Sequence, residues 1–146
     1  MNPSTSGGTP KAGLPDGARI IDHDHAATGG PGPEVMAART LTGDKVINLS
    51  GEDLGTIEDI MLDIRSGHIA YAVMSFGGVM GIGEKLFAIP WGALVLDADR
   101  ECFVLDIEKD RLDNAPGFDK SHWPSMADRR WATEVYSYYG KQPYWE

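Results

Sequence analysis

The chain has a single cysteine, Cys102, so no disulfide can close within it. Nor does it have an apolar run approaching the roughly 18 residues that span a membrane as a helix. Its N-terminus lacks the basic stretch and apolar block of a secretory signal. Only four histidines occur, and His23, His25, His68 and His122 are scattered; no serine sits in a nucleophile-elbow context. Basic residues are scarce as well, 13 against 22 acidic, for a net charge of −9. Residues 41–115 hold six basic and fourteen acidic side chains, hence −8 of that −9. Nucleic-acid surfaces draw on clustered Lys and Arg, so the acidic stretch is not expected to bind a phosphate backbone. The absences together lead us to expect a cytoplasmic protein that is not an enzyme, holds no cofactor, does not bind nucleic acid directly and does not insert into a membrane.

What is present is organised around residues 54–107, which read as short strands joined by glycine-marked turns. Lys45-Val-Ile-Asn-Leu49 forms a first strand, closed by Ser50-Gly51-Glu52-Asp53. From Ile60 the alternation is clean, with Ile60, Leu62 and Ile64 on one face and Met61, Asp63 and Arg65 on the other. Upstream, Ile57 is out of phase, which predicts a β-bulge. Arg65-Ser66-Gly67 supplies a turn in which Gly67 takes positive φ. The next strand, residues 69–76, is apolar on both faces and reads as the most buried. Lys85-Leu-Phe-Ala-Ile-Pro90, Val95-Leu96 and residues 102–107 complete about six strands, which fits a small antiparallel β-barrel. Cys102 alternates with Val104 there and reads as a core thiol.

Between strands lies Gly77-Gly-Val-Met-Gly-Ile-Gly83, four glycines in seven residues without the Lys-Ser/Thr of a phosphate loop. Val79, Met80 and Ile82 are unusual apolar residues for a loop and are candidates for a contact surface. Residues 1–36 are rich in Gly, Pro, Ser and Thr and read as a flexible tail, with Leu14, Ile20 and Ile21 as its few apolar anchors. Within it, Asp22-His23-Asp24-His25 is the most metal-like cluster, two imidazoles and two carboxylates at alternate spacing. A solvated patch is the blander account of the same residues.

After a helical turn at residues 109–114, the barrel ends near Asp119 and residues 120–146 form an extension. Ser125-Met-Ala-Asp128 matches a capping box, and Ala127, Trp131, Val135 and Tyr138 share one face of a helix predicted over 126–139. Gly140 is its stop. With Trp123, Tyr144 and Trp145, this aromatic load must pack on the barrel, on a second copy of the chain, or on a partner.

Leu54-Gly-Thr-Ile-Glu-Asp-Ile-Met-Leu-Asp63, Val73-Met-Ser-Phe-Gly-Gly78, Gly81-Ile-Gly-Glu-Lys-Leu-Phe-Ala-Ile-Pro-Trp91 and Leu112-Asp-Asn-Ala-Pro-Gly-Phe-Asp119 together resemble the PRC-barrel family. The family is named for the cytoplasmic barrel of the photosynthetic reaction centre H subunit, and a similar barrel occurs in a ribosome maturation factor. The resemblance implies a barrel over 37–119 used for docking, with no shared catalytic residues. The expected function is therefore a non-enzymatic interaction or assembly module, an adaptor that docks a protein and self-associates as a homodimer. Its contact residues would be Val79, Met80, Ile82, Trp131, Val135 and Tyr138. The alternatives are divalent-metal or small-ligand binding through Asp22, His23, Asp24 and His25, and a ribosome-associated role that follows from the resemblance alone.

Overall fold

The computed structural model of the chain describes residues 17–21, 34–76 and 85–146. Their strands are β1 (Arg19–Ile21), β2 (Lys45–Ile47), β3 (Asp53–Leu62), β4 (Ile69–Ser75), β5 (Lys85–Pro90), β6 (Leu94–Asp97), β7 (Cys102–Leu105) and β8 (Gly117–Asp119). Three short helices accompany them: α1 (Ala38–Leu41), α2 (Lys109–Asp113) and α3 (Arg129–Tyr138). The fold is mainly β, as expected, and all six anticipated strands are there. Two three-residue strands, β1 and β8, raise the count to eight, in the order β1-β6-β7-β2-β3-β4-β5-β8. Ile20 and Ile21, picked out as apolar anchors of the N-terminal segment, lie in β1.

Most neighbours are antiparallel, but β1 runs parallel to β6 and β2 parallel to β7. The sheet anticipated as antiparallel is mainly so, with these two parallel pairs added. Both parallel pairs join strands distant in sequence, where no tight hairpin forces the antiparallel sense.

One face of the sheet encloses the main core, including Leu54, Ile57, Met74, Phe87, Ile89, Leu94 and Phe103. Strand β4 is buried along six of its seven positions. Its apolar character on both faces has a direct cause: Ala72 and Met74 face the main core, while Tyr71 belongs to a second cluster beneath α3.

Strand β3 stays paired with β4 through two irregularities. Between Ile57 and Asp59 the register slips, leaving Glu58 as the extra residue, which is the bulge anticipated from the phase change. Ser75 Oγ donates to Glu58 Oε2 at 2.7 Å and holds the bulged side chain. A second slip lies between Met61 and Leu62, and here Ala70 of β4 is the extra residue. At the other end of β3, Gly55 has φ +148°, and a Cβ there would stand 2.1 Å from the Ser75 carbonyl oxygen.

The end of β2 is tied down by one buried amide. Asn48 Oδ1 accepts from the Ser50 and Glu52 amides at 3.0 and 2.9 Å, and its Nδ2 donates to Glu52 Oε1 at 2.8 Å and the Ile107 carbonyl at 3.3 Å. Cys102 is buried in β7, as its alternation predicts.

Helix α3 begins three residues later than predicted. Ser125 does not cap it; Asp128 is the N-cap, its carboxylate accepting from the Arg130 amide at 2.9 Å. Its end follows the expectation: Gly140 has φ +68°, the Gly140 amide donates to Ser137 and the Lys141 amide to Tyr136, the pairing of a Schellman motif.

Replacing Gly55 by alanine combines an unfavourable φ with a backbone collision. Gly55→Ala is expected to destabilise the fold by about 3 kcal/mol or more, read as a lowered urea midpoint at unchanged m-value.

Candidate functional site

The β3–β4 hairpin closes through an Asp-centred turn. Asp63 Oδ1 accepts from the Arg65 and Ser66 amides at 3.1 and 3.3 Å, and Gly67, with φ +79°, returns its amide to the Asp63 carbonyl at 2.8 Å. Positive φ at Gly67 is what the sequence predicts. The other Asp63 oxygen accepts from the Tyr144 hydroxyl, so the turn is bound to the chain's last residues.

That C-terminal segment is built on α3. The helix buries Ala132, Val135 and Tyr136 against Ala70, Tyr71 and Ala88 of the sheet. Tyr136 donates its hydroxyl to the Ala70 carbonyl at 2.8 Å, so the second bulge supplies an acceptor to the helix. The Tyr71 ring meets Trp131 and Tyr136, each at 5.5 Å between centroids. Beyond the helix, Trp145 stands edge-on to Tyr136 at 5.7 Å, and the Arg129 guanidinium lies 4.4 Å from the Trp145 ring centre. On the other flank, Arg111 Nη2 donates to the Tyr138 carbonyl at 2.8 Å while the Tyr138 hydroxyl donates to the Arg111 carbonyl.

Between the hairpin and this segment runs an open groove of about 870 Å³. Ala70, Tyr71 and Ala132 line its buried side, and Tyr144 and Trp145 contribute aromatic surface. At its rim stand Leu62 and Ile64, 56% and 84% exposed, together with Arg65 and Arg129. The Tyr71 hydroxyl is buried without a hydrogen-bond partner. Burial raises its pKa well above the ordinary tyrosine value, and Tyr144 adds to the rise. Burial, then the bond to Asp63, pushes Tyr144 up to about 12. The Tyr144 hydroxyl in turn is the main cause that holds the Asp63 carboxyl below the usual range. The groove therefore offers an apolar bed, one fixed carboxylate and two exposed guanidinium groups. Ser66 and the His68 imidazole stand beside that carboxylate at the hairpin tip.

Of the residues expected at a contact surface, Val135 is fully buried. Trp131 is half-buried against Tyr71, and Tyr138 is half-buried and bonded to Arg111. Of the predicted face, Val135 turns inward beside Ala132 and Tyr136, Trp131 and Tyr138 pack at its edges, and Ala127 is exposed. The aromatic helix packs on its own chain because the outer face of β4 and β5 presents a matching apolar seat. Of the three arrangements the sequence leaves open, this is packing on the barrel. Val79, Met80 and Ile82, and the cluster Asp22, His23, Asp24 and His25, lie outside the described residues. Within the described residues no group of three metal-ligating side chains occurs, and no helix is long and apolar enough to cross a membrane.

Sequence reasoning did not pick out the groove. Its one legible signal was Leu62 and Ile64, two aliphatics beside an exposed turn, which were read as the continuation of the Ile60 face. Past the second bulge that face no longer meets the core.

A family model described as PRC-barrel domain matches residues 33–112. Among curated proteins no relative matches. A solved structure of a Pseudomonas aeruginosa chain described as a 16S ribosomal RNA processing protein, RimM, is similar with a TM-score of 0.37 and 20% identity, over 51% of this chain and 45% of that one. The chain thus spans under half the length of that protein.

The Asp63–Tyr144 bond has a definite pH signature. A depressed carboxyl pKa contributes stability above the unfolded value of about 3.9 and loses it as pH falls through the folded value. In Tyr144→Phe the Asp63 carboxyl is expected to titrate closer to about 3.9, followed by carboxylate carbon NMR; an unmoved midpoint would show that Tyr144 does not set it.

Proposed function

The chain belongs to the PRC-barrel domain family, and from that footing we propose a non-enzymatic docking module that binds a protein partner across the hairpin tip and the adjoining groove. The observation that carries this reading is the pair Leu62 and Ile64, 56% and 84% exposed at the rim of the groove. Isolated exposed aliphatics are ordinary, but two at the mouth of an apolar groove form a contiguous patch. Burying such a side chain contributes about 1.5–3 kcal/mol, enough for each to change an affinity tenfold or more. A cytoplasmic setting is part of the same proposal.

Self-association follows less directly. Of the helix residues expected at a homodimer contact, Val135 is covered by the chain's own sheet, and the proposal places a dimer contact at the hairpin tip. The hairpin tip then serves one occupant at a time, a second copy or a different partner.

The test compares wild type with a Leu62→Asn, Ile64→Asn double variant. Both side chains are exposed, so the melting temperature is expected to stay within about 2 °C of wild type, as surface substitutions do. Proteins captured by wild type from extract should be lost from the variant, and any dimer mass in light scattering should fall to the monomer. Retention of the full capture profile by the variant would overturn the reading.

A further inference from the structure

We propose that the groove takes an acidic peptide segment carrying an aliphatic or aromatic anchor. The inference rests on the docking reading above and adds the chemistry of the occupant. Its first support is the local charge balance. The chain as a whole carries −9, yet the charged side chains lining the groove are Arg65, Arg129 and the single carboxylate Asp63, beside the His68 imidazole.

Asp63 is already engaged, accepting from Tyr144 and from two backbone amides of its own turn. Arg65 and Arg129, by contrast, are exposed, and no carboxylate among the described residues pairs with either. Asp128, next to Arg129, directs its oxygen to the Arg130 amide at the start of the helix. The Arg129 guanidinium sits over the Trp145 ring, 4.4 Å from its centre, which holds the cation at the groove wall. An anionic side chain laid across the rim meets two unpaired cations, and a basic one meets repulsion.

The second support lies on the buried side. Tyr71 is 1% exposed, lines the groove and carries a hydroxyl with no partner. That hydroxyl is closed to solvent, so what Tyr71 gives the groove is a firm apolar floor for an anchor side chain. Leu62 and Ile64 then flank the anchor side chain. A volume of about 870 Å³ accommodates one large anchor with its neighbours.

Fluorescence anisotropy with three labelled peptide pools tests the idea on the full chain. Each pool has a central Leu or Phe, flanked by Asp/Glu, by Lys/Arg, or by Ser/Gly. The acidic pool is expected to bind about tenfold more tightly than the basic pool, with the preference shrinking as salt rises. An Arg65→Glu, Arg129→Glu variant should abolish or invert that preference. It is expected to fold, because Arg65 is on an exposed turn and an acidic residue is favoured in a helix's first turn; its melting curve checks this. Equal or tighter binding of the basic pool, no binding by any pool, or an acidic preference untouched by the charge reversal would each overturn the acidic occupant. The docking reading is judged separately, by the Leu62→Asn, Ile64→Asn comparison, so either can fail alone.

Discussion

Strand β4 must be buried on two sides at once, and the remainder of the structure follows from that demand. A strand with one wet face alternates apolar and polar residues, whereas Ile69-Ala-Tyr-Ala-Val-Met-Ser75 has almost no polar face to offer. The inner side is satisfied by the sheet curling around Leu54, Ile57, Phe87 and Phe103. Among the described residues its outer side has no second sheet to meet. Helix α3 covers it, with Val135 and Tyr136 set over Tyr71 and Ala88. The C-terminal extension is therefore part of the folded unit, and without it Tyr71, Ala70 and Ala88 would be open to water.

The two bulges convert this requirement into an open groove beside the hairpin. The first, at Glu58, bends β3 and permits the tight approach of Gly55 to Ser75, so the inner core can close. At the second, Ala70 joins Tyr71 in the cluster under α3 although its spacing would place it with Ala72. One consequence is a carbonyl at Ala70 available to Tyr136. Another is that Leu62 and Ile64 leave the core and stand exposed beside the helix's first turn. The groove is what remains between a strand end that has turned away and a helix that reaches across it.

The strand pattern was legible because it is governed by local alternation and turn chemistry. Gly67 and Gly140 take the positive φ that their positions demand, and the phase break before Ile60 located the first bulge. Strands β1 and β8 were not legible, since three residues pair there with distant strands and carry no periodic signal of their own. The start of α3 was misplaced because Ser125 and Asp128 are both good caps, and only tertiary position selects between them. For the groove the obstacle was different in kind. Its residues come from β3, β4, the turn, the segment leading into α3, α3 itself and the pair Tyr144 and Trp145, and no spacing in the sequence links Tyr71 to Arg129 or Asp63 to Tyr144.

Whether the helix packs in cis or is exchanged between copies is decided by entropy more than by contacts, because both arrangements make the same ones. Only nine residues, 120–128, separate β8 from α3. Closing so short a connection restricts few degrees of freedom, and cost grows only slowly with length. The tether places α3 beside its seat at an effective concentration on the order of millimolar. A second copy at micromolar concentration competes at a disadvantage of about a thousandfold, roughly 4 kcal/mol. The bonds of Tyr136 to Ala70, Tyr138 to Arg111 and Tyr144 to Asp63 secure the extension at both flanks and at its end. Since an exchanged helix would form those same three bonds, they cannot offset the entropy difference. Exchange of α3 between copies is therefore disfavoured at ordinary concentrations, and among the described residues the groove beside the hairpin tip stays open with the helix seated in cis.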